Sequence, residues 1–186
     1  VGKTAVVEGL ALRVVEGALF VLSGVMGVEV GTARVWKLAD ELGIARVLFV
    51  NMLDRERADF YRALGQLQEQ LSERCVAVHL PIGSEHELTG IVDVLHMRAY
   101  MSPEGQREEG HTAIPDDMAE LVSSERERLL DAVVETDEAL MERYLDGQEL
   151  SAEDVALAAY QARRDAPAAV AGGSLEVAGQ EVGVEL

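Results

Sequence analysis

The first residues of the chain form a triplet of the kind that binds phosphate groups. Gly2, Lys3 and Thr4 stand in this order, directly before apolar residues at helical spacing. In such a turn the N–H groups at the helix N-terminus hold phosphates, the lysine reaches the β and γ oxygens, and the threonine hydroxyl binds Mg²⁺. The triplet is short, and an ordinary helix start is the alternative interpretation.

A second polar cluster follows a short apolar run at 46–50. Asn51 can tie its loop to the phosphate loop, and Asp54 stands three residues later. A carboxylate at this place can accept two hydrogen bonds from guanine, one from N1–H and one from the exocyclic amine, which adenine does not offer. The alternative is a plain turn at the end of a strand, because Asn and Asp are common in turns.

Alternating apolar segments are predicted to position both clusters. Runs at 18–22 and 46–50 predict buried strands, and apolar spacing at 30–42 and 57–73 predicts helices, the first of which ends at Gly43. This alternation favours a parallel sheet covered on both faces. Ligands of such sheets bind at the carboxyl ends of the strands, so both clusters are expected there.

The pattern changes near residue 75, and a second unit is predicted to begin there. Its predicted elements are strands at 76–80, 91–95 and 96–100, a polar loop at 102–115, a long amphipathic helix at 116–146 and a helix from Ser151 to about 163. The residues from 165 onward are rich in Ala, Gly and Val, with two short strands predicted about Gly179. They do not obviously continue the preceding domain.

The composition limits the class of protein. The 186 residues include 34 Asp plus Glu and 16 Lys plus Arg, for a formal net charge of −18, and 48% are apolar. This composition is globular, and its acidity argues against a surface that coats nucleic acid. No apolar run is long enough for a bilayer and no signal-peptide pattern is present, so a cytoplasmic protein without a membrane partner is expected.

Residues 18–158, about three-quarters of the chain, resemble the nucleotide-binding part of elongation factor G, a translational GTPase that drives translocation. The matching stretches are 18–61, 76–100 and 114–155. The resemblance implies an α/β fold: a three-layer, parallel-sheet P-loop GTPase (G) domain with an inserted α+β subdomain. It divides the chain into a G domain at 1–75, an inserted subdomain at 76–164 and an unassigned tail or fragment of another region at 165–186.

The resemblance also implies a ligand set and partners. Gly2, Lys3 and Thr4 match the end of the family's phosphate loop, which implies binding of GTP or GDP, a catalytic role for Lys3 in stabilising charge and Mg²⁺ binding by Thr4. Asn51 and Asp54 match the guanine-recognition motif. The implied partner is the ribosome, including its stalk proteins through the inserted subdomain, with RNA contacted mainly through parts outside this chain.

The chain also departs from the family pattern. Met52 stands where lysine is usual; it can pack but cannot donate hydrogen bonds. The first switch, the Asp-x-x-Gly switch, its following histidine and the Ser-Ala loop behind the base have no counterpart. Either switch segments belong between about residues 12 and 17, or the protein binds nucleotide without hydrolysing it. The first explanation is preferred because switch loops are mobile by function.

Other interpretations remain open. A ribosomal protection protein of the tetracycline-resistance type shares the domain, and a regulatory module would bind nucleotide without turnover. Residues 1–17 also resemble the first ATPase site of Clp-type chaperones. The four histidines, His79, His86, His96 and His111, lack the spacing of metal ligands. The single cysteine, Cys75, is interpreted as a strand-edge residue without a nucleophilic role.

Overall fold

The computed structural model describes residues 11–101, 110–162 and 167–173. Four strands form a parallel sheet, namely β1 (Gly17–Ser23), β2 (Ala45–Asn51), β3 (Cys75–Ala77) and β7 (Ala168–Gly172). Their order across the sheet is β1-β2-β7-β3. The helices α1 (Val30–Glu41) and α2 (Phe60–Gln70) connect β1 to β2 and β2 to β3. The alternation of strand and helix predicted for this part of the chain is confirmed.

Local signals define the two connecting helices. The left-handed Gly43 (φ 66°) follows α1, as the sequence predicts. The Asp59 carboxylate caps α2 by accepting a hydrogen bond from Arg62 N at 2.9 Å. The buried side chains of α2 recur at the spacing of one helix face, namely Phe60, Ala63, Leu64 and Leu67. Both helices therefore present an apolar face to the sheet.

The two faces of β1 differ in burial. Phe20 and Leu22 are buried, and the Phe20 ring lies 5.4 Å from that of Trp36 on α1. The side chains of Leu19 and Val21 alternate with them and remain 64% and 54% exposed. A sheet covered on both faces was expected. Within the described ranges, only the face of β1 that carries Phe20 and Leu22 is covered. The helix predicted after Thr4 falls mostly outside those ranges.

An antiparallel sheet of three strands follows β3. It is formed by β4 (His79–Ile82), β5 (Gly90–Asp93) and β6 (Arg98–Met101), and the helices α3 (Ala119–Val134), α4 (Glu138–Leu145) and α5 (Ala152–Ala162) come after it. The single helix predicted at 116–146 is wrong, because Asp137 caps a new helix by accepting a hydrogen bond from Leu140 N at 3.0 Å. The Ser151 cap of α5 is confirmed, since its Oγ accepts a hydrogen bond from Asp154 N at 3.1 Å.

Val78 marks the point at which the chain leaves the parallel sheet. Its N–H donates to Val170 O of β7 at 2.9 Å, and its carbonyl accepts from Val94 N at 3.0 Å. The residues predicted as one strand at 76–80 are therefore divided between two sheets. The predicted domain boundary at 76 falls inside β3, two residues before this switch.

Residues of the predicted unassigned tail provide the fourth parallel strand. β7 lies between β2 and β3, with Ala169 paired to Val47 on one side and to Val76 on the other. The boundary at 165 is therefore wrong for residues 168–172. Small side chains and the long separation from β2 hid this strand, because neither gives a local signal. The strands predicted about Gly179 lie outside the described residues.

The helices of the second unit are tied to the parallel sheet and to each other. Arg74 Nη2, just before β3, donates to Ala132 O on α3 at 3.2 Å. Arg143 on α4 and Asp154 on α5 form an ion pair at 2.8 Å, and the hydrogen bond from Arg143 lowers the pKa of Asp154 to about 2.

No helix within the described ranges has the length and apolar character needed to cross a bilayer.

We expect the Cys75 thiol to be unreactive in the folded protein. Cys75 is fully buried at the start of β3, and burial raises its pKa to about 11, so the thiolate is rare at pH 8. An aromatic disulfide reagent should modify it at least about 100-fold more slowly in buffer than in guanidinium chloride. The control is Glu73→Cys in a Cys75→Ala background, whose exposed thiol should react rapidly in both solvents. Equal rates for Cys75 in the two solvents would contradict this expectation.

Candidate functional site

The predicted base-reading loop lies at the carboxyl end of the parallel sheet. Asn51 is the last residue of β2 and pairs with Ser23 at the end of β1. The next residues turn away from the sheet, and Leu53 is buried at 3% exposure beneath them. The loop thus stands where parallel sheets bind their ligands, as the sequence predicts.

The neighbouring strands hold this loop through their backbones. Gly24 N, after β1, donates to Asn51 O at 2.7 Å. On the other side Leu53 N donates to Gly173 O at 3.3 Å, and Gly173 N donates to Val50 O at 3.0 Å. The loop therefore depends on the exits of both β1 and β7.

Glycine at two of these strand exits permits the side chains of Leu53 and Phe60 to approach the backbone closely. A Cβ at Gly24 would lie 2.7 Å from Leu53 Cδ2, and a Cβ at Gly172 would lie 2.6 Å from Phe60 Cδ2. Both distances are shorter than side chains tolerate. The absence of a side chain at these positions lets the buried Leu53 anchor the loop between the two strand ends.

The Asp54 carboxylate has one unused acceptor. Its Oδ1 is shielded from solvent and has no hydrogen-bond partner within the described residues. Its Oδ2 lies 3.9 Å from Arg55 Nε, and the side chain as a whole is 39% exposed. A shielded acceptor without a donor costs free energy that a ligand N–H can recover. This orphaned oxygen fits a guanine ring, whose N1–H and exocyclic amine are adjacent donors.

Met52 has a left-handed backbone (φ 61°), which is unusual for a residue with a side chain. Its side chain is 40% exposed, and Sδ lies 4.0 Å from Ser23 Oγ. That hydroxyl also accepts from Val25 N at 3.2 Å. Met52 therefore lies over the end of β1. A lysine at this position could donate hydrogen bonds to acceptors there, whereas the thioether of Met52 has no hydrogen to donate.

Arg62 is a neighbour of the base-reading loop that was not among the predicted site residues. Its Nη2 donates to the carbonyls of Gly24 at 3.0 Å, Val25 at 2.9 Å and Arg57 at 3.2 Å. It therefore joins the first turn of α2 to the segment after β1 and to the end of the base loop. No spacing in the sequence distinguishes this arginine from an exposed helix residue.

The phosphate-binding residues of the prediction cannot be placed beside this loop. Gly2, Lys3 and Thr4 lie outside the described residues, so their proximity to Asp54 stays a prediction. The described backbone begins at Ala11, makes one turn in which Val14 N donates to Ala11 O at 3.1 Å, and enters β1 at Gly17. That switch segments belong between about residues 12 and 17 stays a prediction.

A concave surface, separate from the base-reading loop, lies on the helices of the inserted unit. A cavity of about 390 Å³ is lined by Val134, Glu135, Glu138, Met141, Glu142, Leu145 and Asp146. Three apolar side chains and four carboxylates therefore line it. Within the described ranges no three or more His, Cys, Asp or Glu side chains are grouped as metal ligands. This acid-rimmed groove, as we call it below, therefore suits a basic amphipathic ligand better than a cation held by several ligands.

Known proteins resemble this chain in both sequence and structure. Residues 5–172 match the family model of the elongation factor Tu GTP-binding domain. Elongation factor G of Alteromonas mediterranea is 40% identical over 157 residues, which are 83% of this chain and 23% of that protein. A crystal structure of a Thermus thermophilus protein superposes with a TM-score of 0.81 at 33% identity, covering 94% of this chain and 26% of that one. The chain thus spans about a quarter of the length of these relatives.

Replacing Asp54 by asparagine should change which purine is preferred. The amide cannot accept from both guanine donors, so we expect GDP affinity to fall by about 100-fold or more, while a xanthine nucleotide gains affinity. Competition between GDP and XDP for the full chain measures this. Glu56→Gln is the matched control, since it removes a nearby exposed carboxylate with the same change of charge. An unchanged preference in Asp54→Asn would mean that this loop does not read the base.

Replacing Met52 by lysine should tighten GDP binding. The ammonium adds a donor over the end of β1, and we expect a gain of roughly three- to tenfold in affinity. Titration with a fluorescent GDP analogue measures it, with Met52→Gln as an uncharged control of similar length. No gain for lysine, or the same gain for glutamine, would show that the added ammonium has no specific role.

Proposed function

Because the chain belongs to the elongation factor Tu GTP-binding domain family, and is a translational GTPase G domain of the elongation factor G type, we propose that it binds GTP and GDP and hydrolyses GTP on the ribosome. The hydrolysis would drive translocation or a related step. The observation that carries the proposal is the orphaned Oδ1 of Asp54 at the end of β2. This acceptor lies in a loop that backbone hydrogen bonds hold from two sides, and it has no donor within the described residues.

The proposed chemistry begins with the base. Asp54 accepts hydrogen bonds from guanine and so orients the nucleotide with its phosphates toward the start of the chain. Lys3 then stabilises negative charge on the β and γ oxygens while water attacks the γ-phosphorus. Thr4 offers a hydroxyl to Mg²⁺, a donor of the oxygen type that this ion prefers. When bound, Mg²⁺ neutralises charge that develops on the phosphates.

The proposed partner is the ribosome, with the stalk proteins contacting the inserted subdomain. The acid-rimmed groove supports this part of the proposal, because its lining combines apolar side chains with carboxylates, which suits a basic amphipathic helix. The net charge of −18 supports RNA contact mainly through other parts of the protein.

A cytoplasmic location follows from the ribosome as the proposed partner. A ribosomal protection role of the tetracycline-resistance type would use the same site.

A nucleotide-binding module without turnover is the second candidate. It is supported by the order of the sequence, in which residues 12–17 lead directly to β1 without a switch segment, because switch segments are what hold Mg²⁺ and position the attacking water. The Clp-type alternative depended on residues 1–17 alone, whereas the matched family model spans residues 5–172. We do not retain it.

Hydrolysis in the presence of ribosomes tests the proposal. The full chain should bind GDP and GTP, and vacant ribosomes should stimulate its GTP turnover by at least about 100-fold. Lys3→Ala should abolish the stimulated turnover and weaken binding of both nucleotides. Binding without any stimulation would favour the regulatory module. A chain that binds neither nucleotide would contradict the guanine site itself.

A further inference from the structure

We propose that Glu85 is a positioning residue through which the inserted subdomain holds the base-reading loop in its binding conformation. The inference rests on the proposed guanine site, because it concerns the loop that carries Asp54. Glu85 lies between β4 and β5, outside the parallel sheet, and is not itself expected to touch the nucleotide.

Glu85 contacts the loop on both sides of Asp54. Its backbone N–H donates to Leu53 O at 3.0 Å. Its side-chain Oε1 accepts from the backbone N–H of Arg57 at 2.8 Å. One residue of the subdomain therefore ties down the residue immediately before Asp54 and the residue three positions after it. Such a two-point contact restricts both the position and the tilt of the segment between the two bonds.

The loop needs such a restraint because its backbone is unfavourable. Met52 and Arg57 have left-handed φ values of 61° and 68°, in a region that residues with side chains rarely adopt. These conformations persist only where surrounding contacts impose them. Glu85 supplies one contact directly to Arg57 and one to the residue after Met52. Without its carboxylate, the Arg57 N–H loses its acceptor and only the Arg62 contact to Arg57 O remains, so the end of the loop can relax and shift Asp54.

The subdomain holds Glu85 firmly enough to serve as an anchor. Glu85 begins a short 3₁₀ helix, Glu85–Glu87, in which Glu87 N donates to Ser84 O at 2.9 Å. Thr89 N donates to Ile82 O at 2.9 Å and closes the turn at the base of β4 and β5. Glu85 itself is left-handed (φ 51°) and half-buried. The turn is therefore fixed by its own sheet before it meets the loop.

This arrangement predicts a particular effect on the nucleotide. Glu85 acts on the loop that reads the base, so its loss should weaken GDP and GTP equally. It should also reduce the discrimination of GDP over IDP, because IDP lacks the exocyclic amine that Asp54 accepts from. A residue that merely stabilised the fold would lower stability without changing this ratio. By linkage, a ligand that moves the β4–β5 turn would change guanine affinity.

Three variants of the full chain separate the side-chain contact from the backbone. Glu85→Gln keeps an acceptor oxygen and should bind GDP within about twofold of the unaltered chain, since one neutral hydrogen bond replaces a charged one. Glu85→Gly removes the acceptor and relieves the left-handed backbone; it should weaken GDP and GTP by about five- to tenfold. Glu87→Gln, an exposed neighbour with the same change of charge as Glu85→Gln, should have no effect.

The measurements are the affinities for GDP, GTP and IDP and the hydrogen exchange of the Arg57 amide. We expect Glu85→Gly to lower the GDP-to-IDP preference by about fivefold and to accelerate Arg57 exchange. If Glu85→Gly does not fold, Glu85→Asn tolerates the left-handed backbone and is one methylene too short to reach Arg57 N.

Unaltered GDP affinity and GDP-to-IDP preference in a folded Glu85→Gly or Glu85→Asn variant would overturn the inference, as would an equal loss in Glu85→Gln. If the unaltered chain binds no guanine nucleotide, the proposed function fails instead. In that case Arg57 exchange still tests the contact: faster exchange in Glu85→Gly supports it, and unchanged exchange refutes it.

Discussion

The structure depends on the pairing of β2 on both of its sides. β1 and β7 flank it in parallel register, and all three strands end at the same edge of the sheet. Their exits place Gly24 and Gly173 against the loop that continues from β2, so backbone hydrogen bonds fix it from two directions. A loop restrained in this way can hold the Oδ1 of Asp54 without a donor among the described residues. The surrounding contacts offset the free energy lost by shielding this acceptor from water.

The inserted unit is more than an appendage to this sheet. It leaves the sheet at Val78, whose two backbone hydrogen bonds join both sheets, and Arg74 ties it back through α3. Its β4–β5 turn then returns to the loop that carries Asp54. The same unit bears the acid-rimmed groove on α3 and α4. A partner in that groove and a nucleotide at Asp54 would therefore bind to elements connected through packed structure.

Much of this fold could be predicted from local patterns. The strands at 18–22 and 46–50, the first helix with its stop at Gly43, and the Ser151 cap each depend on residues close in sequence, and the structure confirms them. The break at Asp137 was missed because the apolar spacing continues across it, although the capping carboxylate was visible in the sequence. β7 was missed because its small residues become a strand only where two other strands are available to pair with them.

The site divides in the same way. The sequence alone determined that Asp54 follows a buried strand and that the net charge is −18, which predicts a surface that does not coat nucleic acid, since these are properties of residue type and order. That Met52 stands where lysine is usual came from the resemblance to elongation factor G. Only the tertiary structure decided that Asp54 Oδ1 lacks a donor among the described residues, that Arg62 and Glu85 restrain the loop, and that β7 belongs to the sheet. These features depend on contacts between residues that are far apart in the chain. No local sequence pattern specifies such contacts, because the packing of the whole domain sets the position of each partner.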